Sequence, residues 1–287
     1  MALRALHDVP APAKLNLFLH VVGRRADGYH LLQSVFVLID WCDTLHFERR
    51  DDGLLARHDL GAALPDDDLC LRAARLLQAD SGTPLGADIS IEKTVPWGAG
   101  LGGGSSDAAS TLLALNRLWG LHWPRERLAA LGLKLGADVP FFIGGRNAFV
   151  EGVGELLTPL PVPPQWLAVL KPAAAIETRA IFASPLLVRD TDPVILAGFL
   201  ADTSDGFGRN DLQPPAEAHC AEVGAAREML QRCFGNARMT GSGSAVFSRA
   251  GTGAEPTAAM PADLPPGWVG RMCRSLEQHP LVGWAPD

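Results

Sequence analysis

Apolar and polar positions alternate with period two in AKLNLFLHVVG, residues 13 to 23: Leu15, Leu17, Leu19 and Val21 fall on one face, Lys14, Asn16, Phe18 and His20 on the other. The pattern predicts a strand that holds Lys14 and Asn16 side by side, on a face that is either solvated or part of a site. Asp27-Gly28 signals a turn, and the apolar run after it predicts a second strand. Residues 51 to 65 are polar and proline-bounded, a loop or short hairpin. Leu69, Ala73, Leu76 and Leu77 then recur on one face of a predicted helix with Asp67 or Asp68 as its cap. Ile89, Ile91, Lys93 and Val95 alternate with Asp88, Ser90, Glu92 and Thr94, a half-buried strand. Ala108, Ala109, Leu112, Leu113, Leu115, Leu118 and Trp119 fall at helical spacing up to Gly120, with Ser105 or Ser106 as the expected N-cap. Pro124 opens a further helical pattern.

The segment TPLPVPPQ, residues 158 to 165, has four prolines in eight positions and favours extended backbone over a packed element. It divides the chain into two units, 1–160 and 161–287. In the second unit QWLAVLKP reads as a strand, the stretches 177 to 183 and 192 to 201 as short helices, and PAEAHCAEVGAAREMLQRCF as one long helix. NARMTGSGSAVFS reads as two strand segments around a glycine turn, residues 249 to 266 as irregular, and WVGRMCRSL as a last strand. Helices and strands mix in both units, so the fold class is α+β.

Hydrophobic content of 47% and charged content of 20% describe an ordinary globular protein. The net charge of −7, with no basic run, argues against a nucleic-acid surface. Five widely spaced cysteines without a CxxC pair make disulfides and zinc improbable readings. The N-terminal MALRALHDVPAPAKL has no apolar core of a secretory signal, and no apolar run is long enough to span a membrane. A cytoplasmic location is the expectation.

Chemistry concentrates in PWGAGLGGGSSDAA, residues 96 to 109, between the half-buried strand and the apolar helix. Glycine permits positive φ and leaves no Cβ, so successive N–H groups can converge on an anion at the positive end of the following helix. The predicted product is a phosphate cradle. No lysine follows these glycines, which excludes G-x-x-x-x-G-K-[S/T]. Gly98, Gly100 and Gly103 match G-x-G-x-x-G literally, the fingerprint of a nicotinamide-dependent reductase. That fold needs an acidic residue closing a second strand about 20 positions on. Glu126 instead lies in the helical pattern opened by Pro124.

Two further places carry candidate chemistry. Asp138 sits in GADVPFF beside an apolar run, where a charge has to be capped, paired or functional; as a helix N-cap it would tolerate Pro140 in the first turn. Tyr29, the only tyrosine, stands next to His30 after the Asp27-Gly28 turn, where a ring could stack on a flat ligand and an imidazole could hydrogen-bond it.

Together AKLNL (13–17), DGYH (27–30), PWGAGLGGGSSDAA (96–109), GADVPFF (136–142) and TGSGSAVF (240–247) resemble the GHMP kinase superfamily over nearly the whole chain. The resemblance implies a two-domain architecture with the active site in the cleft. It implies transfer of the γ-phosphoryl of ATP, with Mg²⁺, to the 2-hydroxyl of a cytidyl-diphosphate sugar alcohol in the non-mevalonate isoprenoid pathway. By the same resemblance Asp138 accepts the hydroxyl proton, Lys14 pairs with it and stabilises the transferring phosphoryl, and Asn16 orients the acceptor. ATP is expected against Lys93, Pro96, Trp97, Gly98, Ala99, Gly100, Leu101, Gly102, Gly103, Gly104, Ser105 and Ser106, with Lys93 and the Asp68 region bordering the nucleoside. Phe182 is expected to face Tyr29 across the cytosine while His30 reads the base edge. No metal ligand is assigned. Asp68 departs from the asparagine usual in the family, and Trp97 is bulkier than the residue usual in the loop.

Overall fold

A computed structural model describes residues 3–196 and 207–287. The long alternating stretches form β1 (Ala5–Arg24) and β2 (His30–Arg50), which pair antiparallel. They are followed by β3 (Leu55–Asp59), α1 (Leu69–Ser81), β4 (Gly86–Glu92), α2 (Gly103–Leu118), α3 (Arg125–Leu133), α4 (Val139–Gly144), β5 (Ala148–Glu151) and β6 (Leu156–Pro159). The first sheet runs β3-β4-β2-β5-β6, with β1 on β2 and only the β3–β4 pair parallel.

After the proline-rich segment come β7 (Trp166–Lys171), α5 (Thr178–Ala183), α6 (Gln213–His219), α7 (Ala221–Phe234), β8 (Arg238–Met239), β9 (Val246–Arg249) and β10 (Val269–Arg274). The second sheet is antiparallel in the order β10-β7-β9-β8. The α+β expectation is met.

One core fills the space between the first sheet and α1, α2 and α4, and holds Phe47, Leu77, Leu112, Leu115, Phe141 and Phe142. A side chain of that size contributes roughly 1.5–3 kcal/mol when fully buried. A second core, with Leu15, Leu17, Val37, Ile39, Val169 and Phe247, joins the other face of β1 and β2 to the second sheet. Helix α2 is buried along nearly its whole length, and its buried positions include the polar Ser106, Asp107, Ser110, Thr111 and Asn116 beside its leucines and alanines.

Three local expectations are corrected. Residues 51–65 contain a strand, β3, which pairs parallel with β4; its Arg57 bonds Asp59 and contacts Asp68. The N-cap of α2 is Gly102 in left-handed conformation, and not Ser105 or Ser106, since the buried Ser106 hydroxyl donates to the Pro12 carbonyl (2.7 Å). The long second-unit helix breaks at Cys220, whose extended backbone (φ −144°, ψ 105°) separates α6 from α7. Strands β5 and β6 were not anticipated. The helix expected over 192 to 201 lies largely outside the described residues. Asp68 does cap α1, accepting from Leu71 N–H at 3.0 Å.

Candidate active site

The glycine segment leaves β4, turns, and enters α2. Gly100 has φ +74° and lies so close to the second glycine turn that a Cβ would sit 2.4 Å from the Thr240 carbonyl oxygen. At Gly102, φ +71°, a Cβ would lie 3.0 Å from Phe142 Cζ and 3.1 Å from Lys14 Cγ. Only glycine satisfies either position.

The loop's carbonyls face the protein. Gly98, Ala99 and Leu101 accept from the N–H groups of Ser244 (3.2 Å), Ala245 (3.1 Å) and Lys14 (2.9 Å), and Gly102 from Ser106 (2.9 Å). From Gly98 to Ser105 no backbone N–H donates to another described residue. A loop anchored by carbonyls with its amides free can accept an anion.

Two lysines flank it, Lys14 buried and Lys93 nearly so. Lys93, just past β4, donates to Asp43 and Asp107, whose side chains are 0% and 5% exposed. Asp43 also accepts from the N–H groups of Thr94 (2.6 Å) and Val95 (2.8 Å), and Asp107 belongs to the first turns of α2, so the cluster ties both ends of the loop together. Burial pushes the Asp107 carboxyl up to about 8 against the opposing charge of Lys93, and one of its oxygens has no partner. Although burial works against it, the two carboxylates raise Lys93 above its ordinary value. Asp43 and Asp107 escaped the sequence reading, because Asp43 stands near a second acid, Asp40, and Asp107 follows the polar Ser105-Ser106 pair, so neither is a lone acid in an apolar run as Asp138 is.

Lys14 lies on the other side, in β1. Register shifts in its pairing with β2 fall on either side of Lys14–Asn16, the kind of irregularity that re-aims side chains. The face carrying both residues is buried, not solvated, at 3% and 1% exposure. Lys14 Nζ donates to Asn16 Oδ1 (2.7 Å), stands 3.4 Å from Asp138 Oδ2 and lies over the Phe36 ring at 4.5 Å. Asn16 is itself fixed, its Nδ2 donating to Ser34 Oγ (2.9 Å) and its N–H to Thr240 Oγ1 (2.8 Å). Asp138 occupies the N-cap position of α4 but makes no side-chain capping bond and keeps 30% of its side chain exposed.

Three cavities run together through these groups. The first, about 420 Å³, is walled by the loop from Pro96 to Ser105, by Lys93, and by residues 64–69 ahead of α1 and at its start. Asp68, held by Arg57 at 3.1 Å, lines this cavity, and the half-exposed Trp97 stands at its edge. The second, about 270 Å³, shares Gly98, Gly100 and Gly102 with the first and adds Lys14, Asn16 and Asp138. The third, about 730 Å³, shares Phe182 and Thr178 with the second and is lined by Tyr29 and His30. Ser106 lies beneath the loop and lines none of them.

Tyr29 and Phe182 share a cavity, but the ring that stacks on Phe182 is His30 (5.0 Å, 28°), while Tyr29 is 65% exposed. Arg189 accounts for the closeness: it donates to His30 Nε2 (3.2 Å) and to the Phe182 carbonyl (3.0 Å). Burial first, then the charges of Arg189 and Arg24, lower the His30 imidazole from its usual value. Among the described residues no cluster of three His, Cys, Asp or Glu side chains could hold a metal, no helix is long and apolar enough to cross a membrane, and all five cysteines are free.

The sequence matches the family models for the GHMP kinases N terminal domain over residues 68–146 and the GHMP kinases C terminal over residues 196–259. A 4-diphosphocytidyl-2-C-methyl-D-erythritol kinase of Methylibium petroleiphilum is 71% identical over 99% of this chain and 100% of its own length; one of Paracidovorax citrulli is 57% identical over 99% of both. A crystal structure of a 4-(cytidine 5'-diphospho)-2C-methyl-D-erythritol kinase superposes with TM-score 0.73 at 39% identity, covering 84% of this chain and 89% of the other. A homoserine kinase of Cytophaga hutchinsonii, at 15% identity and TM-score 0.65, shares the fold. The chain therefore belongs to the GHMP kinases and, within them, to the family of 4-diphosphocytidyl-2-C-methyl-D-erythritol kinases.

Proposed function

We propose that this enzyme transfers the γ-phosphoryl group of ATP to the 2-hydroxyl of 4-diphosphocytidyl-2-C-methyl-D-erythritol, yielding the 2-phosphate and ADP, a step toward isoprenoid precursors without mevalonate. The observation that carries the reading is the run of free amides from Gly98 to Ser105 ending beside Lys14 and Asp138. The nucleoside occupies the first cavity, between residues 64–69 and the loop, and the triphosphate lies on the amides and the N-terminus of α2. The acceptor hydroxyl enters the second cavity, where its oxygen attacks the γ-phosphorus. Its proton passes to Asp138, and the bond to the ADP oxygen breaks. Lys14 balances charge on the transferring group, and Asn16 orients the hydroxyl from a position fixed by Ser34 and Thr240. The cytidyl group reaches the third cavity, against Tyr29, His30 and Phe182.

Mg²⁺ fits this site as an ion held mainly by phosphate oxygens and water, since Asp138 stands there without a carboxylate cluster. When bound it would neutralise phosphate charge. The ATP-binding unit is residues 1–160 and the second unit residues 161–287, and with its thiols unpaired the enzyme suits the reducing cytoplasm.

The test is a direct assay of ATP-dependent phosphorylation with the cytidyl compound, mevalonate and homoserine offered separately. We expect the cytidyl compound to be preferred by at least roughly two decades in kcat/KM, the discrimination given by polar groups left unpaired with the wrong substrate. Preferential phosphorylation of mevalonate or homoserine overturns the substrate while leaving a phosphotransferase.

A further inference from the structure

Arg189, in the segment after α5, spends four of its five guanidinium N–H groups on local acceptors. Nη1 donates to the Leu187 carbonyl (2.9 Å), Nη2 to the carbonyls of Phe182 (3.0 Å) and Ser184 (2.9 Å), and Nε to His30 Nε2 (3.2 Å). Such a fork is rigid, and a guanidinium can only donate. His30 Nε2 is therefore the lone-pair nitrogen, and the neutral ring carries its proton on Nδ1. Nδ1 has no protein partner among the described residues, and the ring lines the third cavity. The charged groups lining that cavity are Arg24, Asp27 and Arg179, of which Asp27 is paired with Arg25 at 2.7 Å. The lowered basicity of His30 agrees with a ring kept neutral against a cation.

We infer that Arg189 is a positioning residue that sets His30 as an Nδ1–H donor and thereby makes the base site select cytosine over uracil. The inference rests on the proposal that the third cavity takes the cytidyl group. Cytosine presents a lone pair at N3, which a donor matches; uracil presents N3–H, which opposes it and leaves two donors face to face. With Arg189 absent, the imidazole can move its proton to Nε2 and offer either character to the base. The same guanidinium holds the carbonyl of Phe182, on whose ring His30 stacks, so one side chain aligns both elements of base recognition.

The experiment compares the full-length enzyme with Arg189→Ala, Arg189→Lys and His30→Ala, using the cytidyl substrate and its uridyl counterpart. One matched hydrogen bond corresponds to about a tenfold effect. Arg189→Ala should raise KM for the cytidyl substrate by about that factor and lower the cytidyl-to-uridyl preference by a similar one, while KM for ATP and kcat at saturation hold steady. Those two unchanged constants also report a folded variant. Arg189→Lys, which retains one cationic donor, should recover part of the preference. ¹⁵N spectra of the imidazoles should place the His30 proton on Nδ1 in the unsubstituted enzyme and on both nitrogens in Arg189→Ala.

An Nε2–H tautomer in the unsubstituted enzyme, or full discrimination in both Arg189 variants, overturns the inference. If His30→Ala weakens the cytidyl substrate and Arg189→Ala does not, only the role of Arg189 fails. If His30→Ala leaves that KM unchanged, the placement of the base itself is wrong.

Discussion

The two flanks of the glycine loop each hold a lysine, and the lysines do opposite things. Lys93 is saturated: Asp43 and Asp107 both accept from it, and Asp43 also receives the N–H groups of Thr94 and Val95. Lys14 has a neutral amide as its hydrogen-bond partner and a single carboxylate at 3.4 Å that remains open to the cavity. A cation already neutralised by its neighbours offers little field to a phosphate; one left partly unbalanced in a low-dielectric pocket offers a great deal. The first lysine thus fixes where the loop stands, and in the proposed reaction the second supplies charge to the transferring group.

Replacing each lysine by Met separates these roles, and the largest effect is expected on rate. Lys14→Met should lower kcat by about 10²–10⁴ with a modest change in melting temperature, as expected for loss of one transition-state electrostatic partner and a positioned proton acceptor's support. Lys93→Met leaves the buried Asp43 carboxylate without a cation and Asp107 without its donor, and should destabilise the fold by about 3–5 kcal/mol. Steady-state rates and denaturant melts on both proteins decide it; a Lys14 variant that melts early with its rate intact, or a Lys93 variant that is stable but inactive, reverses the comparison.

A pH-dependent effect belongs to Asp107. Its carboxyl is raised from an ordinary value of 3.8 to about 8, so its contribution to stability is complete below pH 3.8 and is lost as pH rises through about 8. Asp107→Asn keeps the shape but cannot ionise. Relative to that variant the unsubstituted protein should lose stability between pH 4 and pH 8 by an amount readable in paired melts at several pH values. Parallel pH profiles for the two proteins would remove the proton from Asp107.

Much of this was legible along the chain. Period two placed Lys14 beside Asn16, and glycines between a strand and an apolar helix marked the cradle. What escaped depends on contacts distant in sequence. Asp43 meets Lys93 across 50 positions and Asn16 meets Thr240 across 224, and no local pattern pairs them. Ser106 looked like a cap by residue type, but its hydroxyl is used by Pro12 in β1, and a left-handed glycine took the cap position instead. β3 was hidden because a short polar strand at a sheet edge alternates weakly, and it is held by pairing with β4 and by the Arg57 ion pairs. The break at Cys220 carries neither glycine nor proline, so helical periodicity ran through it unmarked.

The central claim is that Asp138 receives the proton of the acceptor hydroxyl, with Lys14 beside it, and does not merely begin a helix. Since Asp138 makes no capping bond and Asn caps a helix as well as Asp does, Asp138→Asn should melt within about 0.5 kcal/mol of the unsubstituted protein. The same protein should lose about 10²–10⁴ in kcat with KM for ATP little changed. A variant that keeps its turnover while its stability falls would contradict the account.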